Sequence, residues 1–230
     1  MVINMKRIGM VVAVEITAVM KRYADRMTEE SVKGFPVYSI DFGDKILYIT
    51  RSGAGEIRAA ACTQMLIDLF KVDLIINFGV VGALNKEFST AETCVVSRVV
   101  HYDMDTSAAD NCEVGRYLEY EDIYLRTTPD YVAAALSLDL SLKAATCASG
   151  DKFIADEGKK HEMSIRFDAD ICDMESAAVV LVCDMNSVPN LLIKTVSDSI
   201  KGGVEEFRAC VEKAADICLA VVDRIINERC

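Results

Sequence analysis

The chain has 230 residues, 52% of them hydrophobic and 27% charged, which is typical of a folded protein with one or two domains. Its formal net charge of −11 argues against a general affinity for the phosphate backbone of nucleic acids. No run of about 18 apolar residues predicts a transmembrane helix, and the apolar N-terminus lacks the cleavage site of a secretory signal. We therefore expect neither a nucleic-acid partner nor a membrane partner.

The nine cysteines are scattered along the chain, and no two of them form a Cys-x-x-Cys pair. Most lie in apolar runs, which is typical of reduced, buried thiols in a cytosolic protein. Only His101 and His161 could join these thiols at a metal ion, so the composition does not favour a zinc site. We predict a cytoplasmic protein with no structural metal and no cofactor.

Predicted strands and helices alternate from the N-terminus onward. Arg7–Val14 is a continuous apolar run that predicts a buried strand, and the apolar residues of Glu15–Met27 follow a helical period. Two largely apolar runs, Pro36–Ile40 and Ile46–Thr50, flank Phe42-Gly43-Asp44-Lys45 and predict a hairpin.

Further elements follow a glycine turn at Ser52–Gly55. A helical stripe is formed by Ile57, Ala60, Ala61, Met65, Leu66 and Leu69. The remaining predicted strands are Asp73–Phe78, Thr93–Val100, Lys143–Cys147, Ile171–Met174 and Asn190–Val196. The remaining predicted helices are Pro129–Leu136, Ser176–Met185 and Val204–Ile226. The polar segment Tyr102–Tyr120 predicts an irregular loop.

This alternation, with no internal linker, predicts one α/β domain over residues 1–230, built on a central, mixed, twisted sheet flanked by helices. Short polar or glycine-rich clusters follow several of the strands. Because ligands of open α/β sheets bind beyond the C-terminal ends of the strands, we expect the functional site at these clusters. They are Ser52–Gly55, Gly79–Gly82, Ser149–Ile154, Asp173-Met174-Glu175 and Ser197-Asp198.

In this order and at this spacing, the clusters resemble those of the nucleoside phosphorylase/nucleosidase superfamily. The similarity runs from Arg7-Ile8-Gly9 to the last helix and includes the longer motifs Ile76–Leu84 and Asp173–Ala178. Within the superfamily, the chain looks most similar to the 5′-methylthioadenosine/S-adenosylhomocysteine nucleosidases. The resemblance implies that water cleaves the N-glycosidic bond of an adenine nucleoside through an oxocarbenium-like transition state, in methionine salvage.

On the leaving-group side, the resemblance implies that Asp198 is the acid that protonates N7 of the purine, with Ser197 beside it. A carboxylic acid at this position can also accept a hydrogen bond from a 6-amino group, which favours adenine. Phe153 matches the aromatic ring that stacks on the base, and the backbone of Ile154 matches the groups that read the base edge.

On the ribose side, Glu175 matches the carboxylate that accepts hydrogen bonds from the 2′- and 3′-hydroxyls. Its negative charge would also favour the positive charge that develops at the anomeric carbon. The resemblance implies that Met174 lies against the ribose. Asp173 and Gly82 complete the expected substrate-binding residues.

The nucleophile side departs from the family pattern. The glutamate that activates water is matched by Thr17 in an ungapped alignment, or by Glu15 if the preceding loop is two residues shorter. We favour Glu15, because a threonine hydroxyl with no base beside it cannot deprotonate water. Val80 stands where the family has a serine, and Lys194 replaces an arginine, which keeps the charge but loses the planar guanidinium. We expect Glu15 to face the pocket and Lys194 to orient it.

Two alternatives stay open. A phosphate-dependent purine nucleoside phosphorylase would need cationic and hydroxyl donors for a dianion. Arg51 and Arg58 flank the glycine turn and could supply charge, whereas Val80 lacks a hydroxyl. The second alternative is a non-catalytic nucleoside-binding protein on the same scaffold. The resemblance also implies a homodimer whose small-molecule partner is a purine nucleoside.

Overall fold

Ten strands form one mixed sheet in the described part of the chain. The computed structural model describes residues 6–30, 32 and 34–229, so residues 1–5, 31, 33 and Cys230 of the predicted domain lie outside the description. The strands are β1 (Lys6–Val12), β2 (Thr28–Glu30), β3 (Val37–Asp41), β4 (Lys45–Arg51), β5 (Leu74–Ala83), β6 (Thr93–His101), β7 (Tyr124–Arg126), β8 (Lys143–Ser149), β9 (Ile171–Asp173) and β10 (Asn190–Asp198).

Helices cover both faces of this sheet. They are α1 (Ile16–Tyr23), α2 (Glu56–Phe70), α3 (Ser107–Asp110), α4 (Pro129–Leu138), α5 (Glu157–Phe167), α6 (Ser176–Met185) and α7 (Val204–Arg229). Side chains of α2 and α6 belong to one apolar cluster, and side chains of α1, α4 and α7 belong to a second. Met163 and Phe167 of α5 belong to a third, smaller cluster. The mixed α/β fold predicted from the sequence is therefore confirmed.

The strand pairing bends the sheet back on itself. β5 pairs in parallel with both β1 and β10, and its last residues pair antiparallel with β9. β10 also pairs with β6, β6 with β8, and β8 with β9, so these strands and β5 close a ring. The predicted hairpin is present as the antiparallel pair β3 and β4. As a result, the ends of β1, β5, β9 and β10 converge on one region.

The predicted strand end at Phe78 is wrong, because β5 continues to Ala83 and includes the whole Gly79–Gly82 cluster. The glycines of this cluster lie within the strand, at positions where side chains of other segments approach its backbone closely. A Cβ built on Gly79 would lie 2.9 Å from Glu15 Oε1, and one built on Gly82 would lie 3.0 Å from Asp198 Oδ2. The missing side chains therefore leave room for two carboxylates beside the strand.

Helix α5 was not predicted. It is mostly polar, and only a few of its residues face inward, so a hydrophobic period is hard to detect. Its start is defined by Asp156, whose side chain accepts a hydrogen bond from Lys159 N at 2.9 Å. Strands β2 and β7 were also missed, because three residues are too short to show an alternating pattern.

The strand predicted at Arg7–Val14 ends at Val12, and the helix predicted from Glu15 begins at Ile16. The residues between them form the turn that carries Glu15. The eight described cysteines are free thiols, and most of them are buried. None of the described helices combines the length and the apolar character that crossing a bilayer requires.

Candidate active site

A cavity lies where the ends of β1, β5, β9 and β10 converge. Every predicted site residue except Lys194 lines it, together with Phe207 and Lys152. The predicted residues brought together are Glu15, Val80, Gly82, Phe153, Ile154, Asp173, Met174, Glu175, Ser197 and Asp198. Segments far apart in sequence thus meet at one site, as the strand-end clusters suggested.

Glu15 lies in the turn between β1 and α1, and its buried carboxylate lines the cavity. Its Oε2 accepts a hydrogen bond from Val14 N at 2.9 Å, and its Oε1 accepts one from Val80 N at 2.8 Å. Thr17 lies on the exposed side of α1 and is outside this cavity. The chain therefore brings Glu15, and not Thr17, to the position beside β5.

A second cavity lies between α1 and α7 and shares Val14, Glu15 and Phe207 with the first. Thr17 and Lys21 also line this second cavity. Glu15 consequently borders both cavities.

Glu175 stands at the start of α6, where Asp173 fixes the backbone. Asp173 Oδ1 accepts from Ser176 N at 3.2 Å, and its Oδ2 accepts from Ser176 Oγ at 2.5 Å. Glu175 Oε1 accepts from Gly55 N at 2.9 Å. Gly55 has φ +107°, a conformation that favours glycine, and this directs its N–H toward Glu175. The glycine turn thus orients the carboxylate expected on the ribose side.

Glu56, which the sequence analysis missed, and Ser149, the first residue of the predicted Ser149–Ile154 cluster, support the buried start of α6. Ala177 N donates to Ser149 Oγ at 3.0 Å, and Ala178 N donates to Glu56 Oε2 at 2.5 Å. Glu56 Oε1 lies 2.6 Å from Ser149 Oγ. These contacts satisfy the first N–H groups of the helix. In the sequence, Glu56 is indistinguishable from an ordinary acid at the start of α2.

The expected orientation of Glu15 by Lys194 does not occur. In the described residues, no hydrogen bond or ion pair joins the two side chains. Lys194 Nζ instead donates to Asp173 Oδ2 at 2.7 Å and to Asn77 Oδ1 at 2.6 Å, and it does not line the cavity. Its amine lies behind Asp173 because Lys194 belongs to the buried middle of β10. Lys194 is therefore the counter-ion of Asp173, the carboxylate that fixes the start of α6.

Burial shifts the protonation of the carboxylates around α6. It raises the pKa of Glu175 to about 7, with a further contribution from the charge of Asp173. Burial likewise raises the pKa of Glu56 to about 8. Burial also acts to raise the pKa of Asp173, but the adjacent Lys194 ammonium holds it below its ordinary value. Of these three carboxyl groups, Asp173 is thus the one that is ionised at the lowest pH, whereas Glu56 and Glu175 keep their protons to a higher pH than ordinary glutamates do.

Asp198, at the end of β10, contacts a lysine that the sequence analysis did not identify. Lys160 Nζ donates to Asp198 Oδ2 at 2.6 Å, and Ser197 Oγ lies 2.9 Å from Asp198 Oδ1. Burial raises the pKa of Asp198, and the Lys160 ammonium partly opposes this shift. Lys160 lies in α5, which the sequence did not predict, and therefore nothing in the sequence indicated that Lys160 is near Asp198.

Phe153 and Ile154 form one wall of the cavity near Asp198. Phe153 is 44% exposed and lines the cavity. Its edge-to-face partner is Phe207 of α7, at 5.3 Å between ring centroids. Phe207 borders both cavities.

Acidic residues dominate the lining of the cavity. They are Glu15, Asp173, Glu175 and Asp198, and burial raises the pKa of the last two. Lys152 is the one cationic residue among the lining residues, and it forms an ion pair with Asp103. Neither Arg51 nor Arg58 is among the lining residues. Such a surface favours a ligand that carries or develops positive charge and disfavours a phosphate dianion.

Comparisons with known proteins agree with this geometry. A sequence model described as the phosphorylase superfamily matches residues 7–227. The 5′-methylthioadenosine/S-adenosylhomocysteine nucleosidase of Staphylococcus aureus (strain bovine RF122 / ET3-1) is 29% identical over 227 residues, which cover 96% of this chain and 99% of that protein.

Two solved structures from Helicobacter pylori have similar folds. A 5′-methylthioadenosine/S-adenosylhomocysteine nucleosidase complexed with a substituted pyrrolidine has a TM-score of 0.91 at 25% identity, over 97% of this chain and 99% of that one. Futalosine hydrolase of strain 26695 has a TM-score of 0.91 at 26% identity, over 97% of this chain and 98% of that one. The similarity in both cases extends over nearly the whole fold.

The raised pKa of Glu56 makes a prediction for stability. The folded state keeps this proton up to about pH 8, whereas the unfolded chain releases it near 4.5. Between these values the folded state binds more protons, so Glu56 lowers the free energy of unfolding as pH rises. We expect Glu56→Gln, which mimics the neutral side chain, to gain stability relative to the wild type between about pH 5 and pH 8.

Urea denaturation across this pH range measures the difference. Glu157→Gln, an exposed glutamate in the first turn of α5, is the matched control and is expected to follow the wild-type curve. A constant difference in unfolding free energy between the wild type and Glu56→Gln would show that Glu56 ionises alike in both states.

Proposed function

Because the chain belongs to the phosphorylase superfamily, we propose that its cavity cleaves the N-glycosidic bond of an adenine nucleoside with water as the nucleophile. The observation that carries the proposal is the buried Glu15 carboxylate, held in the cavity by the N–H groups of Val14 and Val80. Each oxygen accepts one of these bonds and keeps a second acceptor position for water. Glu15 can therefore take a proton from water as the water attacks the anomeric carbon.

Glu175 is proposed to bind the ribose. Its Oε1 is engaged by Gly55 N, so Oε2 is available for the 2′- and 3′-hydroxyls. The negative charges of Asp173 and of ionised Glu175 favour the positive charge that forms at the anomeric carbon as the bond breaks. Met174 lines the same cavity and offers an apolar surface to the sugar ring.

Asp198 is proposed to protonate N7 of the purine while the bonding electrons leave with the base. Burial supports this role, because it raises the pKa of Asp198 and so favours a carboxyl group that carries a proton. The exposed aromatic ring of Phe153 is proposed to stack on the base, and the backbone of Ile154 is proposed to read the base edge.

The excess of carboxylates favours water over phosphate as the nucleophile. A phosphorylase would need cations that contact a dianion. The one lysine that lines the cavity already pairs with Asp103, and Val80 offers no hydroxyl. A phosphorylase is for these reasons not the function that we propose.

The relatives support the choice of substrate class. The similar Staphylococcus aureus protein is a 5′-methylthioadenosine/S-adenosylhomocysteine nucleosidase. We propose adenine nucleosides with a 5′-thio substituent as the substrates, and a role in methionine salvage in the cytoplasm.

We also propose that the protein acts as a homodimer and that residues 1–230 form one domain. Ile57 and Leu69 of α2 and Met185 of α6 are exposed apolar side chains on two neighbouring helices. Their exposure supports an interface between two copies.

Base release from a panel of nucleosides, with and without phosphate, tests the proposed reaction. The panel contains methylthioadenosine, adenosylhomocysteine, adenosine and inosine. We expect adenine and a free sugar from the first two whether or not phosphate is present, and a slower reaction with inosine. Release that requires phosphate and yields a sugar 1-phosphate would make the protein a phosphorylase. Thermal stabilisation by nucleosides without any release would make it a binding protein.

Two variants test Glu15 as the base. Glu15→Gln removes the base, and Gly79→Ala adds a Cβ that would lie 2.9 Å from Glu15 Oε1 and displaces the carboxylate. We expect each change to lower adenine release by at least about 10²-fold, the usual effect of removing or misplacing such a group. Nucleoside binding, measured by calorimetry, should change much less.

Thr17→Ala is the control, because it removes the competing side chain from the exposed face of α1. It is expected to keep wild-type activity. Loss of activity in Thr17→Ala together with an active Glu15→Gln would overturn the role proposed for Glu15.

A further inference from the structure

Lys160 of α5 is fully buried beside the proposed purine acid. Its Nζ donates to Asp198 Oδ2 at 2.6 Å, to Ser199 O at 2.7 Å and to Gly202 O at 3.0 Å. Three acceptors account for the three N–H groups of an ammonium. A lysine is rarely buried without a charged partner, and here that partner is the carboxyl group that reacts.

The two oxygens of Asp198 have different surroundings. Oδ2 faces the Lys160 ammonium, whereas Oδ1 lies 2.9 Å from Ser197 Oγ. Ser197 Oγ also lies 3.1 Å from Val81 O. A hydroxyl has one hydrogen, so Ser197 can donate either to Asp198 or to Val81. When it donates to Val81, it can accept a hydrogen bond from a protonated Oδ1.

We infer that Lys160 is a positioning residue that assigns the transferable proton of Asp198 to Oδ1 and stabilises the carboxylate left after the transfer. This inference rests on the proposed function. An ammonium hydrogen bonded to Oδ2 disfavours a proton on that oxygen, so Oδ1 carries it. As the C1′–N9 bond breaks, its electron pair goes to the purine, and the Oδ1 proton moves to N7. Water bonds to C1′ and gives its proton to Glu15.

The position of Lys160 fits the stabilisation of the Asp198 carboxylate better than a role in supporting the local fold alone. Its ammonium contacts Oδ2, one of the two oxygens that share the negative charge once Oδ1 has lost its proton, and an opposite charge in a buried site stabilises that charge strongly. Two other titratable groups act on Asp198. Glu206 of α7 bonds to Ser199 and opposes ionisation of Asp198 through its charge, and the Cys172 thiol of β9 lies nearby. Lys160 is the cation among these neighbours.

Lys160→Met and Lys160→Gln test the inference. Gln keeps donors for the two carbonyls and guards against loss of folding in the Met variant. Without the cation, Asp198 keeps its proton to higher pH, so the alkaline fall in kcat/KM should move up by at least about one pH unit. Adenine release at neutral pH should fall by about tenfold or more, because the carboxylate product is no longer stabilised. Lys159→Met, an exposed neighbour on the same helix, is the control.

A second readout uses a leaving group that needs no acid. The variants should hydrolyse a p-nitrophenyl 5-methylthioriboside at nearly the wild-type rate. In an Asp198→Asn background, Lys160→Gln should cause little further loss of adenine release, because the two residues act as one unit.

The inference would be overturned if the alkaline fall in kcat/KM did not move, or if the variants lost the same factor in rate with adenine and with p-nitrophenol as the leaving group. Either result would make Lys160 a structural residue. In that outcome the wild type still releases adenine, so the proposed function stands. If the wild type releases no adenine from any nucleoside, the proposed function itself fails.

Discussion

The burial of negative charge in one cavity is the constraint on which the rest of this structure depends. Carboxylates that line an apolar-walled site repel each other and lose their hydration, so each needs donors from the surrounding protein. Backbone N–H groups serve Glu15 and Glu175, and buried lysines serve Asp173 and Asp198. Both lysines lie on the far side of their carboxylates, so they stabilise the site without filling it or offering themselves to a phosphate.

The fold supplies these donors through the ring of strands around β5. β5 pairs with β1, β9 and β10, so the ends of these strands lie side by side. Carboxylates from distant parts of the sequence are therefore brought together in the cavity. Gly79 and Gly82 allow the carboxylates to approach the strand closely. The start of α6 then points into the same region, with its N–H groups satisfied by Asp173, Ser149 and Glu56. The strand pairing and the hydrogen bonds to the carboxylates therefore favour the same arrangement of the cavity.

The sequence predicted the fold class and ten of the seventeen residues that line the cavity, because the strand-end clusters are local patterns and their order resembles that of a known family. It did not predict contacts that depend on tertiary structure. Lys194 was expected beside Glu15, but its place in the middle of β10 directs it to Asp173. Lys160 was missed because α5 is largely polar, and Glu56 because its burial comes from α6 and β8. The roles assigned to individual residues remain predictions for experiment.

The claim that the cavity stabilises positive charge on the sugar can be tested by binding alone. Two adenine nucleoside analogues would be compared by calorimetry at neutral pH, one with a cationic pyrrolidine ring and one with the neutral cyclopentane ring. The charges of Glu15 and Asp173, together with the ionised fraction of Glu175, predict that the cation binds at least about 10²-fold more tightly, as expected of a transition-state analogue. Equal affinities, or tighter binding of the neutral analogue, would contradict the account.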